Sequence, residues 1–145
     1  MITITELSGL LELSKERAKQ LVGEALKQDA ALDIQPGTVW RIGPKAVRKL
    51  LSERGKSFPD HKVVTFAALK GGIGKTTIST NVAVRAANLG AKVLLVDLDP
   101  EACATNALMP KDTDLSSALI FCDVLKEDRA DIRKAIVPSS YPGLD

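Results

Sequence analysis

Apolar residues recur at helical spacing through the first third of the chain and then give way to short continuous runs. Thr3-Ile4-Thr5-Glu6 has the capping-box spacing, a threonine followed three residues on by a glutamate, and Leu7, Leu10 and Leu11 follow on one face. That pattern predicts a first helix. Leu13-Ser14 reads as a turn with Ser14 as the next N-cap, and Ala18, Leu21, Val22, Ala25 and Leu26 form the inward face of a second helix. Leu32-Asp33-Ile34, a Pro36-Gly37 turn and Val39-Trp40-Arg41-Ile42 predict a hairpin. Gly43-Pro44 opens a third helix, Lys45 to Arg54, with Ala46, Val47, Leu50 and Leu51 inward.

Gly55-Lys56-Ser57-Phe58-Pro59-Asp60 has the breakers and polar residues of a boundary. Beyond it, Val63-Val64-Thr65-Phe66-Ala67-Ala68 is the kind of run that forms a strand buried on both faces of a parallel sheet. Ile78, Val82, Ala86 and Leu89 then return to helical spacing, Gly90 stops the helix, and Val93-Leu94-Leu95-Val96 predicts a second buried strand. Strand, loop, helix and strand in this order make a βαβ unit with a right-handed crossover. Further on, Leu115, Leu119, Val124 and Leu125 suggest another helix, and Ile132, Ile136 and Val137 a short element. The fold class expected is α/β: a parallel-sheet unit over residues 62–145, a linker over 55–61, and a small helical unit over 1–54.

Chemistry concentrates in the loop between the two predicted strands. Lys70-Gly71-Gly72-Ile73-Gly74-Lys75-Thr76-Thr77 reads as a phosphate-binding loop. Its glycines allow the backbone N–H groups to turn inward and cradle phosphate oxygens. Lys75 is placed to reach the β- and γ-phosphates of ATP and Thr76 to offer a hydroxyl to Mg²⁺. The positive end of the following helix faces the same anion. The ordinary loop pattern needs glycine at position 69; this chain has Leu69 there and a second cation, Lys70, beside it. The second predicted strand ends in Asp97-Leu98-Asp99-Pro100, at the sheet edge where open α/β folds bind ligands. Two carboxylates there suit the holding of metal-bound water and the orienting of an attacking water. A bland reading, that one aspartate merely caps the next helix, stands beside it.

Lys70 to Thr77 followed by Val96-Asp97-Leu98-Asp99-Pro100 resembles the deviant Walker-type ATPases of the ParA and MinD superfamily, and Ala104-Thr105 favours the ParA branch. The resemblance runs from about Val63 to Asp145. It implies a P-loop NTPase fold, ATP and Mg²⁺, and a homodimer formed on ATP binding. It makes Lys70 the signature lysine that reaches the partner's nucleotide, Thr77 an α-phosphate contact, Asp99 the residue that positions the hydrolytic water, and Asp97 a neighbour of the metal's water shell. The family follows Asp-Pro with Gln-Gly-Asn, where this chain has Glu101-Ala102-Cys103. No later strand ending in Asp is evident, so the sequence reads as a truncated P-loop domain, the N-terminal part of a longer ATPase.

The order helix, turn, helix, hairpin, helix over residues 1–54 resembles a MerR-like winged helix-turn-helix, most closely at Arg41 to Val47. Lys15, Arg17, Lys19, Arg41 and Lys45 are its candidate DNA contacts. Charge supports this modestly: residues 1–60 carry 10 Lys/Arg against 8 Asp/Glu, and the remainder 10 of each, so the net +2 is N-terminal. The combined expectation is a cytoplasmic, nucleoid-associated DNA-partition ATPase. Its partners would be operator or centromere-proximal DNA, non-specific DNA, and a ParB-type protein. The alternatives are a nucleotide-sensing transcription regulator and a MinD-like membrane-cycling ATPase. Cys103 and Cys122 lack metal-site spacing, His61 has no evident partner, and Trp40 reads as packing for the hairpin. No apolar run reaches membrane-spanning length, and no membrane partner is expected.

Overall fold

A computed structural model describes residues 1–58, 62–113 and 131–145. The capping box forms as its spacing predicts. Strand β1 (Ile2–Thr3) leads directly into α1 (Ile4–Leu11), Thr3 Oγ1 accepts from the Glu6 N–H at 3.3 Å, and the Thr3 N–H donates to Glu6 Oε2 at 2.8 Å. That backbone hydrogen bond is the main reason the Glu6 carboxyl titrates below its ordinary value, with Arg85 adding to it. Glu12 ends α1 in the left-handed region, at φ 57°, and Lys56 Nζ reaches across to Glu12 Oε1 at 2.7 Å and to the Leu10 carbonyl at 3.0 Å. Ser14 then caps α2 (Lys15–Gln28) by accepting from the Arg17 N–H.

The hairpin forms as β2 (Ile34–Gln35) and β3 (Arg41–Ile42), and β1 adds to its other side, so the antiparallel sheet has the order β1-β3-β2. Ile42 faces both Ile2 and Ile34 in register. The sheet's third strand had no signal in the pattern, because two residues are too few to alternate. Helix α3 (Pro44–Ser52) closes the cluster, starting one residue before and ending two before the predicted bounds. Ile2, Leu7, Val22, Ile42 and Val47 are each at most 1% exposed and form its centre. Each such burial contributes roughly 1.5–3 kcal/mol. Helix α3 has no cap from its own N-terminal residue, Gly43. Instead the Asp33 carboxylate accepts from the N–H groups of Lys45 (3.0 Å) and Ala46 (2.8 Å). A Cβ at Gly43 would lie 2.2 Å from Asp33 Oδ2, so only glycine leaves room for that cap.

The second cluster differs from expectation. Helix α4 (Lys75–Asn88) occupies the predicted span and turns out at Gly90, φ 101°. Its buried residues, however, are Ala83 and Ala87, which pack with Leu108 of α5 (Cys103–Leu108) and with Leu144. Ile78 and Val82, on the predicted inward stripe, are 51% and 47% exposed, because no element covers that stripe among the described residues. The run from Val63 to Ala68 forms no strand: nothing pairs with it among the described residues, and Val63 is 90% exposed. A strand exists only through ladder hydrogen bonds to a neighbour. Val93-Leu94-Leu95-Val96 alternates instead of being buried on both faces: Val93 and Leu95 pack inward, and Leu94 and Val96 face out. Its parallel partner is Gly143-Leu144-Asp145, through Val93 N–H to the Gly143 carbonyl (2.9 Å) and Leu95 N–H to that of Asp145 (2.7 Å). The predicted helix around Leu115 to Leu125 lies outside the described residues. A 3-10 turn, Ile132–Ala135, marks the short element expected there.

The clusters meet at the far end of α4. Arg48 Nε donates to the Gly90 carbonyl at 2.7 Å and its Nη2 to that of Ala91 at 3.3 Å. Gly90 lies against Val47 and Arg48 so closely that an added Cβ would meet the Arg48 nitrogen at 3.1 Å. Leu89 packs on the first core, and Arg85 pairs with Glu6 at 2.9 Å.

Candidate nucleotide site

The lysine loop runs from residue 70 into the first turn of α4. Gly72 and Gly74 have φ of 72° and 87°, a conformation open to glycine and strained for other residues, and nothing lies within 4 Å of a Cβ built on either. Gly74 is the N-cap and offers no side chain, so the N–H groups of Lys75, Thr76 and Thr77 begin the helix without a capping partner. The first turn is braced from below: Ser79 Oγ and Thr80 Oγ1 donate to the Thr76 carbonyl at 3.0 and 2.8 Å, and Asn81 Nδ2 to the Thr77 carbonyl at 2.7 Å. Lys75 Nζ bonds back to the Lys70 carbonyl at 3.3 Å, closing the loop on itself, while Lys70, Gly71 and Ile73 are exposed. Free N–H groups, a helix N-terminus and the Lys75 ammonium converge, a donor set that fits a triphosphate, with Lys70 exposed beside them. The Thr76 hydroxyl and phosphate oxygens suit Mg²⁺, which binds through few protein ligands. No cluster of three or more His, Cys, Asp or Glu residues forms a metal cage among the described residues.

The acidic loop is built around Asp97. Its Oδ2 accepts from both the N–H and the hydroxyl of Thr105, each at 2.9 Å, and its Oδ1 from the Asp99 N–H at 3.1 Å. Asp99 Oδ1 accepts in turn from the Glu101 N–H at 3.1 Å, and Asp99 itself is exposed. The capping geometry weighed for these aspartates is thus present at Asp97, which caps α5 from eight residues away. Thr105 is the residue whose bond to Asp97 the sequence reading missed. Its identity was legible, but a reach across a loop is not. Among the described residues no hydrogen bond or ion pair joins Lys70 or Lys75 to Asp97 or Asp99; the packing of α4 on α5 keeps the two loops in one unit.

Ala102 precedes α5 in the left-handed region, φ 51° and ψ 34°. Glycine adopts that conformation without the steric cost that a Cβ brings. Ala102→Gly is expected to stabilise the chain by about 1 kcal/mol, read as a higher urea midpoint with an unchanged slope. A lower midpoint would show that the alanine methyl contributes packing beyond its strain. Cys103 beside it is a free, exposed thiol; Cys122 lies outside the described residues.

The candidate DNA contacts of the N-terminal cluster are exposed. Lys15, Arg17 and Lys19 lie on the first turns of α2, Arg41 on β3 and Lys45 at the start of α3. Lys19 Nζ sits 5.8 Å from the centre of the Trp40 ring, joining α2 to the hairpin, and the indole itself is half-buried against the core. Arg48 and Lys49 turn elsewhere, to α4 and to Asp29 respectively. No helix among the described residues is long and apolar enough to cross a membrane.

Residues 61–145 match the model of the AAA domain family. Over 85 residues the chain is 42% identical to the cell division protein PomZ of Myxococcus xanthus, covering 59% of this chain and 26% of that protein. It is 37% identical over 84 residues to the sporulation initiation inhibitor protein Soj of Bacillus subtilis, covering 58% of this chain and 32% of that one. The same identity and length relate it to the chromosome partitioning protein ParA of Caulobacter vibrioides, with 58% and 30% covered. The chain therefore spans about a quarter to a third of the length of these relatives. No solved structure matches it. The chain belongs to the AAA domain family, with residues 61–145 as its P-loop domain.

Proposed function

We propose that this chain serves an ATP-driven DNA-partition protein, with residues 62–145 as the nucleotide-binding part and residues 1–54 as a winged helix-turn-helix that binds DNA. The observation that carries the first half is the lysine loop: an uncapped helix start with the Lys75 ammonium folded over the loop and Lys70 exposed at its edge. ATP with Mg²⁺ is the substrate that fits it. Lys70, exposed at the loop's edge, is the residue suited to act across a homodimer on the other copy's nucleotide, in the way an arginine finger does. Asp99, exposed and held by the Glu101 N–H, is the group that orients water. DNA binding is supported by the exposed Lys15, Arg17, Lys19, Arg41 and Lys45, none of which is consumed by the contact with α4. A ParB-type partner and a nucleoid location in the cytoplasm complete the reading.

The test is ATP turnover by the full-length protein with and without DNA, beside Lys70→Ala. DNA-stimulated turnover that falls roughly 10³-fold in the variant, with nucleotide binding retained, is the expected result. A second reading is favoured by the Arg48 contact, which ties the N-terminal cluster to the P-loop helix: a transcription regulator whose DNA affinity follows nucleotide. Absent turnover together with ATP-dependent affinity for a specific DNA site would replace the first reading with this one.

A further inference from the structure

Asp97 bonds to three donors, and two of them belong to one residue. An ionised carboxylate has about four lone-pair directions. Thr105 takes both of those on Oδ2 and the Asp99 N–H takes one on Oδ1. One direction remains, on Oδ1. We infer that Thr105 is a positioning residue for the nucleotide site: by saturating Oδ2 it fixes the Asp97 carboxylate, and through the bond that Asp97 Oδ1 accepts from the Asp99 N–H it holds in place Asp99, the group that orients water. The inference rests on the ATPase reading above and assigns a role to a side chain outside the lysine loop and the two aspartates.

Three features distinguish this from simple helix capping. A cap needs one acceptor for a backbone N–H, and the Thr105 N–H already meets it. The hydroxyl adds a second, charge-assisted bond to the same oxygen, which is redundant for α5 but removes the remaining freedom of the carboxylate to rotate. Asp97 also accepts from the N–H of Asp99, so the orientation of Asp97 sets the backbone that carries Asp99. Thr105 is half-buried in an element packed on α4, which gives the hydroxyl a fixed base.

The test compares Thr105→Val and Thr105→Ser in the full-length protein. Valine keeps the shape and the N–H bond and loses the hydroxyl; serine keeps the hydroxyl and loses the methyl. In nucleotide-free protein, hydrogen exchange at the Asp99 amide is expected to rise at least threefold in the valine variant and to stay near wild type in the serine variant. With ATP and Mg²⁺, the valine variant is expected to lose about tenfold in kcat with ATP Kd changed less than twofold, and serine to restore kcat. Unchanged exchange and kcat in the valine variant would overturn the inference. So would an equal loss in the serine variant, which holds even if valine compromises folding, because the methyl would then be the part that matters. Wild-type protein that binds no nucleotide overturns the ATPase reading and this inference together; wild-type turnover with an indifferent valine variant overturns this one alone.

Discussion

Lys75→Ala is expected to weaken ATP binding ten- to hundredfold, read by titration with a fluorescent nucleotide in the presence of Mg²⁺. A hydrogen bond to a charged group contributes about 1.5–3 kcal/mol, and every 1.4 kcal/mol is about a factor of ten in Kd. The lysine acts twice. In the proposed reading it brings a compact positive charge to the phosphates, and without ligand it ties the loop by bonding to the Lys70 carbonyl at 3.3 Å. The alanine chain therefore loses a contact and also a preformed loop. Lys75→Arg is expected to recover little, since a planar fork does not replace an ammonium at the start of a helix. The uncapped N–H groups of α4 remain in both variants, so residual, salt-sensitive binding persists. Binding within twofold of wild type in Lys75→Ala would mean that nucleotide is held somewhere other than this loop.

Gly43→Ala is expected to destabilise the N-terminal cluster by roughly 2–3 kcal/mol. The new Cβ would fall 2.2 Å from Asp33 Oδ2, so the carboxylate must leave. Two N–H groups at the start of α3 then lose their acceptor. A cluster of this size has little stability to spare, and α3 supplies four of its core side chains, Ala46, Val47, Leu50 and Leu51. Thermal unfolding followed by circular dichroism measures the loss. A double-mutant cycle identifies its cause: in an Asp33→Ala background the glycine substitution is expected to add less than about 0.5 kcal/mol, because the group it displaces is already gone. Full additivity of the two would place the cost in the backbone of Gly43 itself.

These cases show where the sequence was readable. Thr3 with Glu6 and Ser14 with Arg17 are caps between residues three apart, and local spacing determines them. All four inward residues assigned to α3 are buried, because a helix packed on one side reveals its face through its period. Asp33 with Ala46 and Asp97 with Thr105 cross 13 and eight residues, distances set by folding and not by period. The stripe from Ile78 to Val82 failed for another reason. Period marks which face of α4 is apolar, but the contact goes to Ala83 and Ala87, whose small side chains admit α5 and Leu144. Val63 to Ala68 has a strand's composition and lacks a neighbour among the described residues. The glycines of residues 70–77 were legible in another way: Gly72 and Gly74 take positive φ, a local backbone demand that the pattern itself announces.

Helix α4 is a lever held at its far end. Its 14 residues span about 21 Å. A tilt of about 5° about the loop end would carry the other end through about 2 Å, a displacement comparable to the helix shifts that repack interfaces. That other end is gripped by Arg48 through two carbonyls and backed by Val47 against Gly90. A tilt of α4 starting at residue 75 would reach α3 through these contacts, bypassing the stretch that leads from Glu53 to Phe58. The direction in which the hairpin and α2 point would then follow the tilt of α4.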